Sequence, residues 1–181
     1  AAEFGWRFGT GKWPDYFVDS VGAVVDIGLG SPTGIEFGTG SKFPAKYQRA
    51  LYINDWTYGK IYAVHLQPAG GSYRATFETF VEAKPLPVTD ICVGTDGALY
   101  FTIGGRRTQS GLYRVTYQGD ENVEPAGPLD DPQSTAARET RRKLESFHGR
   151  QDEAALDVAW PYLNSPDRAL RYAARVAVEH Q

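Results

Sequence analysis

The sequence predicts a chain that is all-β over most of its length and all-α at its end, and three observations carry that division. Residues 1–117 hold Trp6, Trp13 and Trp56 with most of the tyrosine, phenylalanine and glycine, in short apolar runs cut by turn residues, which is the composition of β-structure. Within that stretch one pattern occurs twice: Thr33-Gly34-Ile35 matches Thr89-Asp90-Ile91, Ala50-Leu51-Tyr52-Ile53 matches Ala98-Leu99-Tyr100-Phe101, and Ile61-Tyr62-Ala63-Val64 matches Leu112-Tyr113-Arg114-Val115. The offset is about 50 residues, the size of a four-stranded blade, and a β-sandwich has no reason to repeat at that period. After Tyr117 the sequence turns to Asp, Glu, Pro and Gly, and beyond that to helical periodicity. The expected organisation is therefore about two β-propeller blades in an incomplete ring over 1–117, an acidic Pro/Gly linker over 118–133, and a small all-α segment over 134–181.

The elements follow in order. Apolar runs bounded by turn residues predict strands over 23–27, 33–37, 50–55, 60–66, 75–81, 89–93, 98–103 and 112–117. Thr95-Asp96-Gly97 suits a tight hairpin. Ser134 can cap a helix that runs to His148 and stops at Gly149, where the histidine suits the negative helix end. A second helix fits 152–163, and Ser165-Pro166 offers a cap and first-turn proline for a third. On that third helix Leu170, Ala173, Ala174, Ala177 and Val178 share one face. A helical hairpin of this kind cannot bury its apolar face alone and is expected to stack on further copies.

Composition excludes several functions. A net charge of −3 does not suit a nucleic-acid partner, and the basic run Arg138, Arg141, Arg142, Lys143 is interleaved with Glu139 and Glu145, as on a solvated helix face. The longest apolar runs, such as 22–29, fall far short of the roughly 20 residues that cross a bilayer, and no charged-then-apolar leader opens the chain. A lone Cys92 in an apolar strand is expected to be packed and forms no Cys-x-x-Cys site. From the absence of methionine the sequence is expected to be an internal piece of a longer chain, and such a piece is expected to be too incomplete to do chemistry alone. The glycine clusters at 9–12, 28–34 and 38–42 lack the spacing of a dinucleotide or phosphate loop. His65, His148 and His180 are scattered without carboxylate or cysteine at ligand spacing, so neither a metal site nor a catalytic triad is expected, and no catalytic residue is assigned.

The chemistry that remains lies in two loops of one kind, each joining the second and third strands of its blade. They carry Asp55, Trp56 and Tyr58 in the first copy and Arg106 and Arg107 in the second. Aromatic rings there can stack on a sugar or a flat cofactor, and arginines can hold a carboxylate or quinone oxygen. With Trp6 and Arg7 near the start of the chain, these are the candidate ligand-binding residues.

Several segments resemble the late blades of the soluble glucose and sorbosone dehydrogenase group: Ser31-Pro32-Thr33-Gly34-Ile35-Glu36-Phe37, Phe43-Pro44-Ala45-Lys46-Tyr47, Ala50-Leu51-Tyr52-Ile53, Gly59-Lys60-Ile61-Tyr62 and Asp96-Gly97-Ala98-Leu99-Tyr100. Phe4-Gly5-Trp6 is similar to that group's Tyr-Gly-Trp-Pro, with Arg7 in place of proline. The helical segments at 144–149, 159–163 and 171–175 resemble the start of a HEAT-like array, and the combination is similar to large dehydrogenase-like proteins of planctomycete-type bacteria. The resemblance implies an exported sugar dehydrogenase-like protein, pyrroloquinoline quinone and calcium as cofactors, and a c-type haem domain elsewhere in the parent chain. Quinone-binding members carry a lysine in the loop that here reads Asp55-Trp56-Thr57-Tyr58, and Arg-x-Arg-Asp where this chain has Pro87-Val88-Thr89-Asp90. The expected partner is a carbohydrate-like small molecule oxidised or bound at the propeller mouth. The alternative is a non-catalytic module that binds a carbohydrate or a protein.

Overall fold

The computed structural model describes residues 21–129 and 131–181. Its β-structure is antiparallel. Strands β1 (Pro32–Phe37), β2 (Leu51–Asp55), β3 (Lys60–Ala69) and β4 (Ser72–Glu82) form a four-stranded sheet in that order. Strands β5 (Val88–Val93), β6 (Leu99–Gly105) and β7 (Thr108–Val115) form a three-stranded sheet, also in chain order. A single helical turn, α1 (Ala45–Gln48), sits between β1 and β2, and helices α2 (Pro132–Glu145), α3 (Ala155–Ala159) and α4 (Arg168–Glu179) follow the sheets. Two compact units result: Ile27–Leu66 with Ala75–Pro128, and Gln67–Arg74 with 21–26 and the helical end.

In the sheet unit the repeat is visible as register. Tyr52 pairs with Ala63 as Tyr100 pairs with Arg114, and Ile53 pairs with Tyr62 as Phe101 pairs with Tyr113. The two copies do not bury equivalent faces. The first sheet contributes Tyr52, Ile61 and Ala63 to the shared core, whereas the second contributes Ile91, Leu99 and Phe101. Those second-sheet positions correspond to Ile35, Leu51 and Ile53, which lie on the opposite face of the first sheet because side chains alternate along a strand. The sheets therefore stack face to back. Each fully buried Leu, Ile or Val in this core is worth about 1.5–3 kcal/mol.

Close approach of β1 to β5 requires Gly34. A Cβ there would stand 2.8 Å from the Asp90 Cα, nearer than any side chain tolerates. Gln48 completes the unit: its buried amide nitrogen donates to the carbonyls of Phe43, Val123 and Glu124, and its oxygen accepts from the Ala126 amide. Arg49 donates to Gly127 O. The segment read from composition as linker is thus pinned to the sheets as far as Gly127.

Several sequence expectations are corrected here. Residues 23–27 form no strand, since apolar composition without a paired edge does not make a ladder. Cys92 is exposed, because it lies in the same row as Tyr100 and Arg114, on the face of the second sheet turned from the core. In the helical unit the cap of α2 is Asp131, whose carboxylate accepts from the Ser134 amide, with Pro132 opening the helix. Ser134 instead accepts through its hydroxyl from Gly70 N, in the hairpin tip 67–74. The second helix is shorter than expected and passes at Pro161 into a 3-10 turn, Trp160–Tyr162. The third is capped by Asp167, which accepts from Ala169 N, Leu170 N and Gly71 N. Its face is the one expected: Leu170, Ala173, Ala174 and Ala177 are buried with Leu144, Phe147, Ala155 and Ala159, and the alanines allow the backbones to approach. The basic run on α2 is only partly solvated, since Arg138 lies over the Tyr73 ring and Arg141 reaches Glu145 and Gly71 O. His148 lies beyond the end of α2, and its ring meets Ala173 O of α4.

Candidate functional site

One end of the stacked sheets gathers three irregularities in their ladders. Register shifts fall between Pro32 and Ile35 in β1, between Val88 and Asp90 in β5, and between Ile103 and Gly105 in β6. Bulges of this kind re-aim side chains and concentrate beside sites. The hydroxyls of Thr33 and Thr89 lie at the first two shifts. Thr33 donates to Val88 O at 2.7 Å, a bond from β1 to β5, and the Thr89 and Thr102 hydroxyls are 2.8 Å apart.

The β2–β3 loop brings its indole to the same end. Asp55 is buried, and one carboxylate oxygen accepts from the amides of Ser31, Thr57 and Tyr58, so the side chain fixes the loop. Trp56 donates from its backbone amide to Ser31 O and from Nε1 to Gly104 O at 2.9 Å. These bonds hold the indole across the end of β6 while leaving it 42% exposed. Gly105 lies beneath it: a Cβ there would stand 3.1 Å from the Trp56 ring.

These groups line an open cleft of about 850 Å³. Its wall is Trp56, its polar groups are Ser31, Thr33, Thr89, Thr102 and Ser110, and among the described residues its lining contains no charged side chain. The hydroxyls of Ser31 and Ser110 make no hydrogen bond to any described residue, and Thr33 keeps its acceptor pairs after donating to Val88. The cleft can stack one flat or CH-rich face and exchange hydrogen bonds with a hydroxylated ligand. It contains no group that would take a proton near neutral pH.

Of the candidates from sequence among the described residues, Trp56 alone lines this cleft. Trp56 forms its wall and Asp55 positions that wall. Tyr58 is exposed on the same loop, and Arg106 and Arg107 are exposed at the β6–β7 turn directly after the lining residue Gly105. Trp6 and Arg7 lie outside the described residues. Sequence reasoning missed the threonines as site residues, although Thr33 and Thr89 head the repeated motif. Two hydroxyls at equivalent repeat positions, each near the start of the first strand of its sheet, were the available signal.

The implied quinone cofactor is a tricarboxylate, and its carboxylates need cations. The cleft lining has none, and Thr89, one of the uncharged residues in the segment where quinone-binding members carry cations, is engaged with Thr102. The described lining alone does not match the three carboxylates of that cofactor, and the adjoining turn adds two cations, Arg106 and Arg107. Among the described residues no group of three His, Cys, Asp or Glu side chains is placed to hold a metal ion, and His65 is engaged with Glu78 at 2.8 Å. No described helix is long and apolar enough to cross a membrane.

No family model matches the chain, and no curated protein matches it. Among solved structures the chain is similar to the putative oxidoreductase (glucose dehydrogenase) of Thermus thermophilus, at 22% identity and a TM-score of 0.37 over 47% of this chain. The match spans 25% of the Thermus protein.

Proposed function

We propose that the sheet unit is a carbohydrate-binding portion of a dehydrogenase-like β-propeller, and that it holds a sugar ring in the Trp56 cleft. The observation that carries this is the composition of the cleft: one fixed, half-exposed indole together with five hydroxyl side chains, and no charge among the described lining residues. A pyranose presents the matching surfaces, a CH-rich face for the ring and hydroxyls along its edge. The face-to-back stacking of the repeat supports the propeller reading, because it lets identical blades follow one another around a ring. The helical end is read as the start of a HEAT-like array. A glycan ligand also accords with an exported parent protein.

Within this reading the described residues bind and orient; oxidation of the ligand is not assigned to them. The test is saturation-transfer NMR of the 181-residue chain against a panel of neutral oligosaccharides, repeated with Trp56→Ala. Binding should appear for the native chain and weaken at least about tenfold in the variant, because stacking on the indole supplies much of the contact. Equal signals from both chains, or none from the native one, would reject the reading.

A further inference from the structure

We infer that the ligand of this cleft is an anionic carbohydrate, a sugar bearing a carboxylate or sulfate group, whose charge is received by Arg106 and Arg107. This rests on the sugar-binding reading of the cleft and adds to it the charge of the ligand. Three observations support it.

The first is position. Gly104 and Gly105 line the cleft, Gly105 pairs with Thr108 across the β6–β7 turn, and the two arginines are the residues between. The arginines thus follow the last lining residue of β6 directly in the chain, at the turn next to the glycine that packs on the Trp56 ring. The second is that neither arginine has a hydrogen bond or ion pair to any described residue. Arg114, near the far end of β7, shows the contrast: it is tied to Asp96 at 2.7 Å and to the Tyr100 hydroxyl. The third is the backbone. Arg107 adopts φ 63°, a left-handed conformation that Gly or Asn would take at less cost. The turn thus carries a guanidinium where its geometry favours a residue without one.

An uncharged cleft with two unpaired guanidinium groups at its rim selects a ligand that is neutral over most of its surface and anionic at one point. Guanidinium binds planar carboxylate or sulfate by paired N–H donors, and at a rim open to solvent that interaction weakens with salt. The shared chemistry is an oxyanion on a sugar.

Isothermal titration of the full 181-residue chain with galactotriose, trigalacturonate and a sulfated galactotriose tests it. The acidic ligands should bind about tenfold more tightly than the neutral one at low salt, with that ratio falling as salt rises. Whichever acidic ligand shows the larger ratio identifies the oxyanion. The double substitution Arg106→Ala with Arg107→Ala should bring the ratio close to one. A ratio near one in the native chain, or a ratio unchanged by salt and by the double substitution, overturns the inference and leaves the sugar-binding reading in place. If none of the three ligands binds, both fail. The salt dependence is read on the native chain, so the test stands even where the double variant folds poorly.

Discussion

The two sheets are written in the same sequence pattern and bury opposite faces of it. Ile35 is 62% exposed while its counterpart Ile91 is 5% exposed; Ile61 is fully buried while its counterpart Leu112 is 69% exposed. Residue type does not explain this, because the paired positions are all branched aliphatics. Position in the stack does. The face of the first sheet that carries Ile61 is covered by the back of the second, and the equivalent face of the second sheet, carrying Leu112, is not covered by any described residue. A repeated sequence thus yields unequal burial wherever face meets back, and energetic weight cannot be copied from one repeat to the next.

That inequality is open to direct tests. Ile61→Ala should cost about 3 kcal/mol, through lost transfer energy and a residual cavity, while Leu112→Ala should cost less than about 0.5 kcal/mol. Denaturant titration of both variants checks it, and similar costs would break the comparison. At the head of the repeat the contrast runs through sterics. Gly34→Ala places a Cβ against the Asp90 backbone and should cost about 2 kcal/mol, while Asp90→Ala, at the matching exposed position, should stay within about 0.5 kcal/mol. Thermal melts of the pair would show a clear fall for the first and almost none for the second.

The smallest effect belongs to Tyr52 and needs alkaline solution to be seen. Burial pushes the Tyr52 hydroxyl well above its ordinary value of 10.0. Well below pH 10.0 the ring is neutral in both folded and unfolded chains and adds no pH dependence. Above it, the unfolded chain releases the proton that the folded chain retains, so stability falls as pH rises. Tyr52→Phe should flatten that decline while keeping the ring contacts with Phe80. An alkaline slope unchanged between native and variant chains would count against burial as the cause.

Much of this architecture could be read from the sequence. The apolar runs over 50–55 and 98–103 located β2 and β6, and the duplicated motifs set the period. Face choice could not be read, because it depends on which sheet lies against which and not on the strand itself. The caps Asp131 and Asp167 were missed in favour of Ser134 and Ser165, which stand nearby and are equally good in isolation. The site was legible in part. Trp56 stood out as an exposed aromatic in a loop, but Asp55 reads the same in sequence whether it holds a ligand or its own backbone. Only its three backbone hydrogen bonds distinguish the two. Gln48 gave no signal at all, since three of its four partners lie at Val123, Glu124 and Ala126, far along the chain.

Face-to-back stacking also bears on how such a protein can be altered. Sheets packed face to face close on themselves, and an added copy finds no surface made for it. Here each sheet offers on one side what its neighbour accepts on the other, so the interface is directional. A duplicated copy of the unit from Thr33 to Val81 would carry its own docking surface with it, and the length of such an array can change by whole repeats without a new interface being invented.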